Sequence, residues 1–270
     1  MTTFQKVIKY LAMAFAILLA VSIIGGLLNA VGVFGSFFAG DVVLDETKVY
    51  NVNGQIHSLE VEISAADFTI KRADAFSVES NLKDLSVSED NGVLTIKDEK
   101  KYAVAYTNAT LTLYIPSGAA FDKVNITTGA AKLTADSLSA KSVKLQLGAG
   151  DVRIERLIAS DKADIEGGAG KITIAGGMLN DLELEMGVGE LNLTAALRGS
   201  SDLNFGVGES NLTLIGSKDD YKVDIEKGIG NITVDGKTVF DFGSSGNGDN
   251  RVEIEGGIGA INLKFQDAEF

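Results

Sequence analysis

A unit of about 20 residues recurs through the second half of this chain and constrains its fold more than any other feature. Each unit has an alternating apolar segment, a corner of three small residues and a second alternating segment, as in VKLQLGAGDVRI and LELEMGVGELNL. The middle residues of the corners are Ala65, Ala130, Ala149, Ala169, Val188, Val207, Ile229 and Ile258. From Ala130 onward the steps are 19, 20, 19, 19, 22 and 29 residues. A fixed period followed by longer steps is typical of stacked coils that carry loop insertions.

The alternation inside each unit predicts which side chains face the core. Around one corner the apolar residues are Leu182, Leu184, Met186, Val188, Leu191 and Leu193. A two-residue period indicates a β-strand, and the hop of three residues after Val188 indicates a strand that turns a corner while its apolar face stays inward. Glycine allows the backbone to bend there. We therefore expect an all-β parallel solenoid whose coils stack about 4.8 Å apart.

The first half of the chain is less regular. We expect the strands within residues 76–115, such as TLTLYIP at Thr110–Pro116, to supply the coils missing between Ala65 and Ala130. A Greek-key sandwich also uses short alternating strands with glycine turns. Sandwich loops do not usually keep a constant register over four steps, so the solenoid is favoured. It divides into a diverged first half, 41–123, and regular GxG coils, 124–265.

The N-terminal segment predicts a membrane anchor. No charged residue lies between Lys9 and Asp41, and about 20 apolar residues suffice to cross a bilayer as a helix. Lys6 and Lys9 precede the apolar run and acidic residues follow it, which places the N-terminus in the cytoplasm. Residues 1–40 are thus predicted to be a cytoplasmic stub and one transmembrane helix, and residues 41–270 an extracytoplasmic domain of a single-pass protein.

A cleaved signal peptide would show the same order of charges. Its apolar region usually spans about 7–15 residues, whereas here the apolar stretch continues to Phe37 and Phe38. Length favours a retained anchor, and both interpretations export the rest of the chain.

Charge and composition narrow the classes of function. The net charge is −13, and residues 1–40 contribute two lysines and no acid, so the exported part is more acidic still. Such a surface repels nucleic acid and anionic lipid headgroups and suits cationic partners. The chain has no cysteine, and His57 is its only histidine. Thiolate metal sites, histidine clusters and a His-based triad within one subunit are therefore excluded.

The order of these features resembles a bacterial family of adhesin-like proteins of unknown function that contain β-strand repeats. The resemblance rests on the anchor, a diverged early coil, the strand ending in TLYIP, then FDKVNITTGAA and successive GxG coils. It covers roughly residues 45–265 and implies a right-handed parallel β-helix, with several members encoded near envelope-stress genes. The family supplies no catalytic motif to transfer to this chain, so the resemblance is informative about fold and weak about function.

Stacking in register would place acidic residues in ladders on the segment before each corner. These residues are Asp164, Glu166, Glu183, Glu185, Asp202, Asn204, Asp224, Glu226, Glu253 and Glu255. Like charges at strand spacing repel each other. One interpretation is a solvated face that maintains solubility. The other is a Ca²⁺-binding face, with the carboxylates of this set, all but Asp202, as candidate ligands. The absence of a known calcium-loop spacing favours the solvated face.

A second ladder is predicted on the segment after each corner. Its outward residues are Thr69, Thr134, Arg153, Thr173, Asn192, Asn211, Thr233 and Asn262. Threonine suits strands, and stacked asparagines hydrogen-bond along a ladder. Such an array could also bind glycans or ice, but structural stabilisation explains the pattern without a ligand.

The sequence predicts a non-catalytic, adhesin-like binding or scaffolding module anchored in the bacterial envelope, with no cofactor other than a conceivable Ca²⁺. Its expected partners are a cation, a cell-wall polymer or an envelope protein. The alternatives are an envelope-stress accessory that docks on a membrane partner and a carbohydrate-active β-helix enzyme. An open last coil would favour polymerisation, which Asp267 and Glu269 would discourage while Phe265 and Phe270 cover the core. Monomer and filament both stay open.

Overall fold

The computed structural model describes residues 44–98, 108–226, 228–239 and 244–267. The anchor predicted for residues 1–40 lies outside the described part of the chain. Within the described part, no helix has the length and apolar character needed to cross a membrane.

The described strands join in one 17-stranded sheet. In chain order they are β1 Lys48–Asn51, β2 Ser58–Ile63, β3 Asp67–Ala73, β4 Ser77–Ser80, β5 Leu85–Asp90, β6 Val93–Asp98, β7 Thr110–Pro116, β8 Phe121–Ala135, β9 Leu138–Ile154, β10 Leu157–Ile174, β11 Gly177–Asn180, β12 Leu182–Arg198, β13 Ser200–Ile215, β14 Tyr221–Glu226, β15 Ile229–Val234, β16 Lys237–Val239 and β17 Asn250–Gln266. A short 3-10 helix, Lys218–Asp220, precedes β14.

These strands build nine coils within the described residues. Coil 1 is β2 and β3, coil 2 is β6 and β7, coils 3 to 5 are β8, β9 and β10, coil 6 is β11 and β12, coil 7 is β13, coil 8 is β14 and β15, and coil 9 is β17. Neighbouring coils pair in parallel and in register, so that Ile126, Leu145 and Ile165 follow one another in the core. The predicted all-β stack of parallel coils is confirmed.

The corner residues do not follow the predicted alternation of inward and outward side chains. Leu182, Leu184 and Leu191 are buried, as expected. Two middle corner residues, however, face outward: Ala149 is exposed and Ile229 keeps 45% of its surface accessible, whereas Ala65 of coil 1 is buried. Ala149 and Ile229 are each followed by a glycine with positive φ, which reverses the alternation so that the next apolar residue returns to the core.

The second corner glycine is required by the neighbouring coil. Gly208 has φ +147°, and a Cβ added to it would lie 1.7 Å from the carbonyl oxygen of Gly189 in the coil beneath. Gly189 makes the same approach to Gly170. Any side chain at these positions would therefore force adjacent coils apart.

The order of the coils is not the order of the chain. Coil 9 lies between coils 7 and 8, because Glu253 pairs with Asp202 on one side and with Asp224 on the other. Coil 1 likewise lies between coils 2 and 3, because Glu60 pairs with Thr95 and with Asn125. The stack therefore reads 2-1-3-4-5-6-7-9-8.

Two predictions about order are corrected by this arrangement. Coil 2, within residues 76–115, lies outside coil 1 instead of filling a gap between Ala65 and Ala130. The acidic ladder likewise runs with Glu253 and Glu255 before Asp224 and Glu226. The physical reason for the second exchange is that the corners of coils 7, 8 and 9 present the same glycine ladder, Gly208, Gly230 and Gly259, so each coil fits against several others. The longer steps of 22 and 29 residues then give the chain the length to pass over one position.

Antiparallel strands cover the two ends of the stack. On coil 2, β5 pairs with β6 and β4 with β7, while β1 extends the cover beyond β4. On coil 8, β16 pairs with β15, and Ser245 bridges to Val223. These strands occupy edges that would otherwise recruit another chain.

The prediction that Asp267 guards an open end of the stack is wrong, because the last strand lies one coil inside the stack. Phe265 covers the core as predicted: it packs against the buried apolar residues and against Tyr221, with ring centroids 5.9 Å apart. Glu269 and Phe270 lie outside the described residues.

Candidate functional site

The segments before the corners carry two outward rows of carboxylates on coils 5, 6, 7, 9 and 8, which we call the acidic face. One row contains Asp164, Glu183, Asp202, Glu253 and Asp224, and the other contains Glu166, Glu185, Asn204, Glu255 and Glu226. The structure thus brings the predicted acidic residues onto one surface. Between the rows, coils 5, 6, 7 and 9 enclose a groove of about 440 Å³, floored by Leu184 and Leu203.

One end of the acidic face is neutralised by a lysine. Lys144 on coil 4 donates to Asp164 at 2.7 Å and to Glu166 at 2.9 Å. These hydrogen bonds raise the pKa of Lys144 to about 12. The bond from Lys144, together with one from Gln146 at 3.2 Å, lowers the pKa of Glu166. Lys144 and Gln146 occupy the same two rows one coil earlier, so they terminate the acidic face.

The centre of the acidic face is less compensated. Burial is the largest cause of a raised pKa at Asp202, followed by its hydrogen bond to Glu253 and the repulsion of Glu253 and Glu183. Arg251 pairs with Glu253, and Lys162 with Glu183 at 2.8 Å.

Three carboxylates of the acidic face have no cation beside them within the described part of the chain. Among the described residues, Glu185, Glu255 and Asp224 contact no partner by an ion pair or a side-chain hydrogen bond. Carboxylates of the same sign in adjacent coils oppose folding, so this surface carries a standing electrostatic cost.

The predicted calcium ligands form a surface, without a closed coordination shell. No group of three or more His, Asp or Glu side chains in the described part of the chain is arranged to hold a metal ion. Coordination of Ca²⁺ takes six to eight oxygens around one point, whereas these carboxylates are spread over five coils. The arrangement is better suited to a long cationic partner than to one ion.

The segments after the corners form a second surface, which we call the amide face. Its main row is hydrogen-bonded over coils 8, 9, 7 and 6: Thr233 donates to Asn262 at 2.7 Å, Asn262 to Asn211 at 2.8 Å, and Asn211 to Asn192 at 3.0 Å. Asn192 then donates to Glu190 at 2.7 Å. The hydrogen bonds show that this ladder connects coils, which is the structural role predicted for it.

A neighbouring row on the amide face alternates in charge. From coil 1 to coil 6 it contains, in register, Asp67, Lys132, Asp151, Lys171 and Glu190. On coil 7 it continues with Glu209, a like charge that accepts a hydrogen bond from Asn262 at 3.1 Å. Lys171 pairs with Glu190 at 3.0 Å, and hydrogen bonds from Asn192 and Lys171 lower the pKa of Glu190. Opposite charges in adjacent coils favour the stack.

The sequence analysis missed residues that lie at the ends of the acidic face and the amide face. Lys144 and Gln146 end the acidic face, and the outward positions of β9 were the available signal, since they alternate with Val143 and Leu145. Thr112 continues the amide face onto coil 2 beside Thr69. That residue could not be placed from sequence because the position of coil 2 was not known.

The family model described as "Toastrack DUF4097" matches residues 31–264. The chain therefore belongs to this family of stacked β-coils, and the resemblance found in its sequence is confirmed. No curated protein gives a significant match.

Several solved bacterial structures are similar to the chain. A "putative cell adhesion protein" from Clostridium sporogenes is 15% identical, with a TM-score of 0.38, 82% of this chain covered and 99% of that chain. A "putative adhesin" from Bacteroides fragilis is 12% identical, with a TM-score of 0.45 and coverages of 80% and 95%. A "putative adhesin" from Parabacteroides distasonis is 18% identical, with a TM-score of 0.41 and coverages of 83% and 98%. Similarity at this level identifies no ligand for this chain.

Proposed function

We propose that the protein is a non-catalytic, adhesin-like binding module of the bacterial envelope that holds a cationic partner on its acidic face. The observation that supports this most is the contrast in charge between the two faces. Carboxylates that repel one another are stacked over five coils on the acidic face. On the amide face of the same coils, the adjacent carboxylates Glu190 and Glu209 both accept hydrogen bonds, Glu190 from Lys171 and Asn192 and Glu209 from Asn262. A surface that opposes folding is best explained by a partner that supplies the missing positive charge.

The partner proposed is an extended polycation, such as a basic wall polymer or a basic segment of an envelope protein. The groove of about 440 Å³ runs across the coils and presents Glu183, Asp202 and Glu253 along its length. A chain lying in it would meet carboxylates at the coil spacing of about 4.8 Å. Nucleic acid is not proposed, because the face has the sign of a phosphate backbone.

The proposal includes a retained single-pass anchor within residues 1–40 and a right-handed sense for the coils. Both stay predictions from the sequence and the family resemblance. The anchor would hold the binding module on the outer side of the cell membrane.

The test uses the full chain in detergent micelles and fluorescent poly-lysine as the probe. Replacing Glu183, Asp202 and Glu253 by Gln, Asn and Gln should weaken binding about tenfold, since exposed charge pairs contribute up to about 1 kcal/mol each. The matched control replaces Asp151, Glu190 and Glu209 on the amide face, which removes the same charge. Equal loss in both variants would mean that only net charge attracts poly-lysine, and would overturn the proposal.

Two alternative functions predict different results for the full chain in detergent micelles. A carbohydrate-active enzyme would cleave wall glycan and lose that activity in the acidic-face variant. An envelope-stress accessory would capture a membrane partner through residues 1–40, with the acidic face unnecessary.

A further inference from the structure

The first and the last coil along the chain each lie one coil in from an end of the stack. Coil 1, the first along the chain, is hydrogen-bonded to coil 2 on one edge and to coil 3 on the other. Coil 9, the last along the chain, is bonded to coil 7 and to coil 8 in the same way. The same exchange of order therefore occurs twice, at opposite ends of one molecule.

Independent contacts confirm the inserted position of coil 9. A Cβ on Gly259 would meet the carbonyl oxygen of Gly208 at 1.6 Å, and one on Gly230 would meet that of Gly259 at the same distance. The amide ladder agrees, because Asn262 bonds to Asn211 on one side and to Thr233 on the other. The backbone pairing, the close approaches at the glycines and the side-chain hydrogen bonds thus all place coil 9 between coils 7 and 8.

Contacts outside the regular ladders fasten both inserted coils. At one end, Gly216 N donates to Gln266 O at 2.8 Å, and Asp235 accepts from Phe265 N at 3.1 Å. At the other end, Lys97 of coil 2 pairs with Glu62 of coil 1 at 2.8 Å. Each inserted coil is therefore held by the coil outside it as well as by the coil inside it.

This topology changes how the molecule responds to tension on its chain. In a solenoid stacked in chain order, the terminal coil has one free edge, and its bonds break one after another as the end is pulled away. At the C-terminal end, β17 receives the tension and is bonded on both edges. At the N-terminal end, β1 is loaded first and, among the described strands, pairs only with β4, whereas β2 behind it is bonded on both edges. Two ladders must then break together before coil 1 or coil 9 opens.

We propose that the inserted first and last coils form a mechanical lock, which lets the module bear force applied along its chain without unravelling. On the side of residue 44, force passes through the cover strand β1 before it reaches the start of coil 1, and at the other end it enters at the end of coil 9 near Asp267. The outer coils 2 and 8 act as clamps, and the antiparallel strands β5 and β16 cover them. The lock depends on topology alone and does not require the acidic face to bind a partner.

The test is single-molecule stretching of the full chain in detergent micelles. The chain has no cysteine, so two introduced cysteines define the pulling points. Asn53→Cys with Asp267→Cys loads the inserted coils, and Asp90→Cys with Lys237→Cys loads the turns of the two end hairpins as a matched control. All four positions are exposed. The first rupture should need about twice the force with the end handles, because two ladders break instead of one.

Equal or lower force with the end handles, or stepwise peeling that begins at coil 1 or coil 9, would overturn the lock. Native-state hydrogen exchange of the unmodified chain gives a second measurement that requires no variant. Amides of β2 and β17 should exchange as slowly as those of β10, and those of β6 and β14 faster. Fast exchange in β2 and β17 would contradict the proposal even if all cysteine variants failed to fold.

Discussion

The acidic face and the amide face are built from the same coils in the same register, yet they arrange charge in opposite ways. On the amide face, charges alternate up to Glu190, the following Glu209 accepts a hydrogen bond from Asn262, and asparagines bond from coil to coil. On the acidic face, Glu183, Asp202 and Glu253 are consecutive carboxylates. The arrangement on the amide face stabilises the stack, and the arrangement on the acidic face does not. This difference distinguishes the surface that holds the coils together from the surface that we propose binds a partner.

Both faces follow the same order of coils, and disulfide cross-linking tests that order with an all-or-none result. Asp224→Cys with Glu253→Cys should form a disulfide, because paired residues of adjacent strands lie about 4.8 Å apart. Asp202→Cys with Asp224→Cys should not, because coil 9 separates them. On the amide face, Asn262→Cys with Thr233→Cys should bridge as well. A bridge between positions 202 and 224 in non-reducing gels would contradict the inserted coil.

The corner that joins the two faces should be the most sensitive point of the stack. Gly208→Ala places a methyl group 1.7 Å from the backbone of the next coil, and we expect a loss of about 4 kcal/mol or no folding at all. The matched control is Gly118→Ala. Gly118 also has positive φ, +87°, but nothing lies within 4 Å of its added Cβ, so the cost should be about 1 kcal/mol.

Chemical denaturation monitored by circular dichroism measures both variants. Similar losses would mean that backbone strain, and not the approach of the next coil, sets the requirement for glycine. That result would remove the steric account of the corner.

These corner residues also show what sequence can and cannot predict about the molecule. The repeat predicts the coils and the residues of both faces, because a two-residue period with glycine corners has few solutions. It does not predict order, because GIG at 228–230 and GIG at 257–259 fit the same neighbours. One feature of the sequence indicates the order of the coils: Asn192, Asn211 and Asn262 become consecutive only if coil 9 precedes coil 8 in the stack. Lys144 was missed as the end of the acidic face for a different reason, since a neutralising contact depends on side-chain reach.

One pair of asparagines on the same coil measures what each face contributes to stability. Asn211 on the amide face bonds to Asn192 and Asn262, so Asn211→Ala should cost about 1–2 kcal/mol by removing one hydrogen bond from each partner. Asn204 on the acidic face is exposed and forms no side-chain hydrogen bond with the described residues. Asn204→Ala should therefore leave the free energy of unfolding within about 0.5 kcal/mol of the wild type. Urea denaturation measures both variants. Equal losses in the free energy of unfolding would show that the two asparagines, and so the two faces, contribute equally to stability.

The smallest effect expected is a difference in the sign of pH dependence between the faces. The pKa of Asp202 is raised from 3.8, so its favourable contribution is present at low pH and is lost as the pH rises through the raised value. Asp202→Asn should thus match the wild type below pH 3.8 and become slightly more stable than it towards pH 7. The pKa of Glu190 is lowered from 4.5, so its contribution is present above pH 4.5 and is lost as the pH falls. Glu190→Gln should therefore be slightly less stable than the wild type at pH 7 and approach it in acid.

Melting temperatures of the three proteins between pH 3 and pH 7 give both differences, and high salt should shrink them, because exposed charges are screened. Differences of the same sign would mean that the acidic face is compensated as fully as the amide face. The charge contrast that supports the proposed binding surface would then be lost, whereas opposite signs would locate the unfavourable electrostatics on the face where a cationic partner is expected to bind.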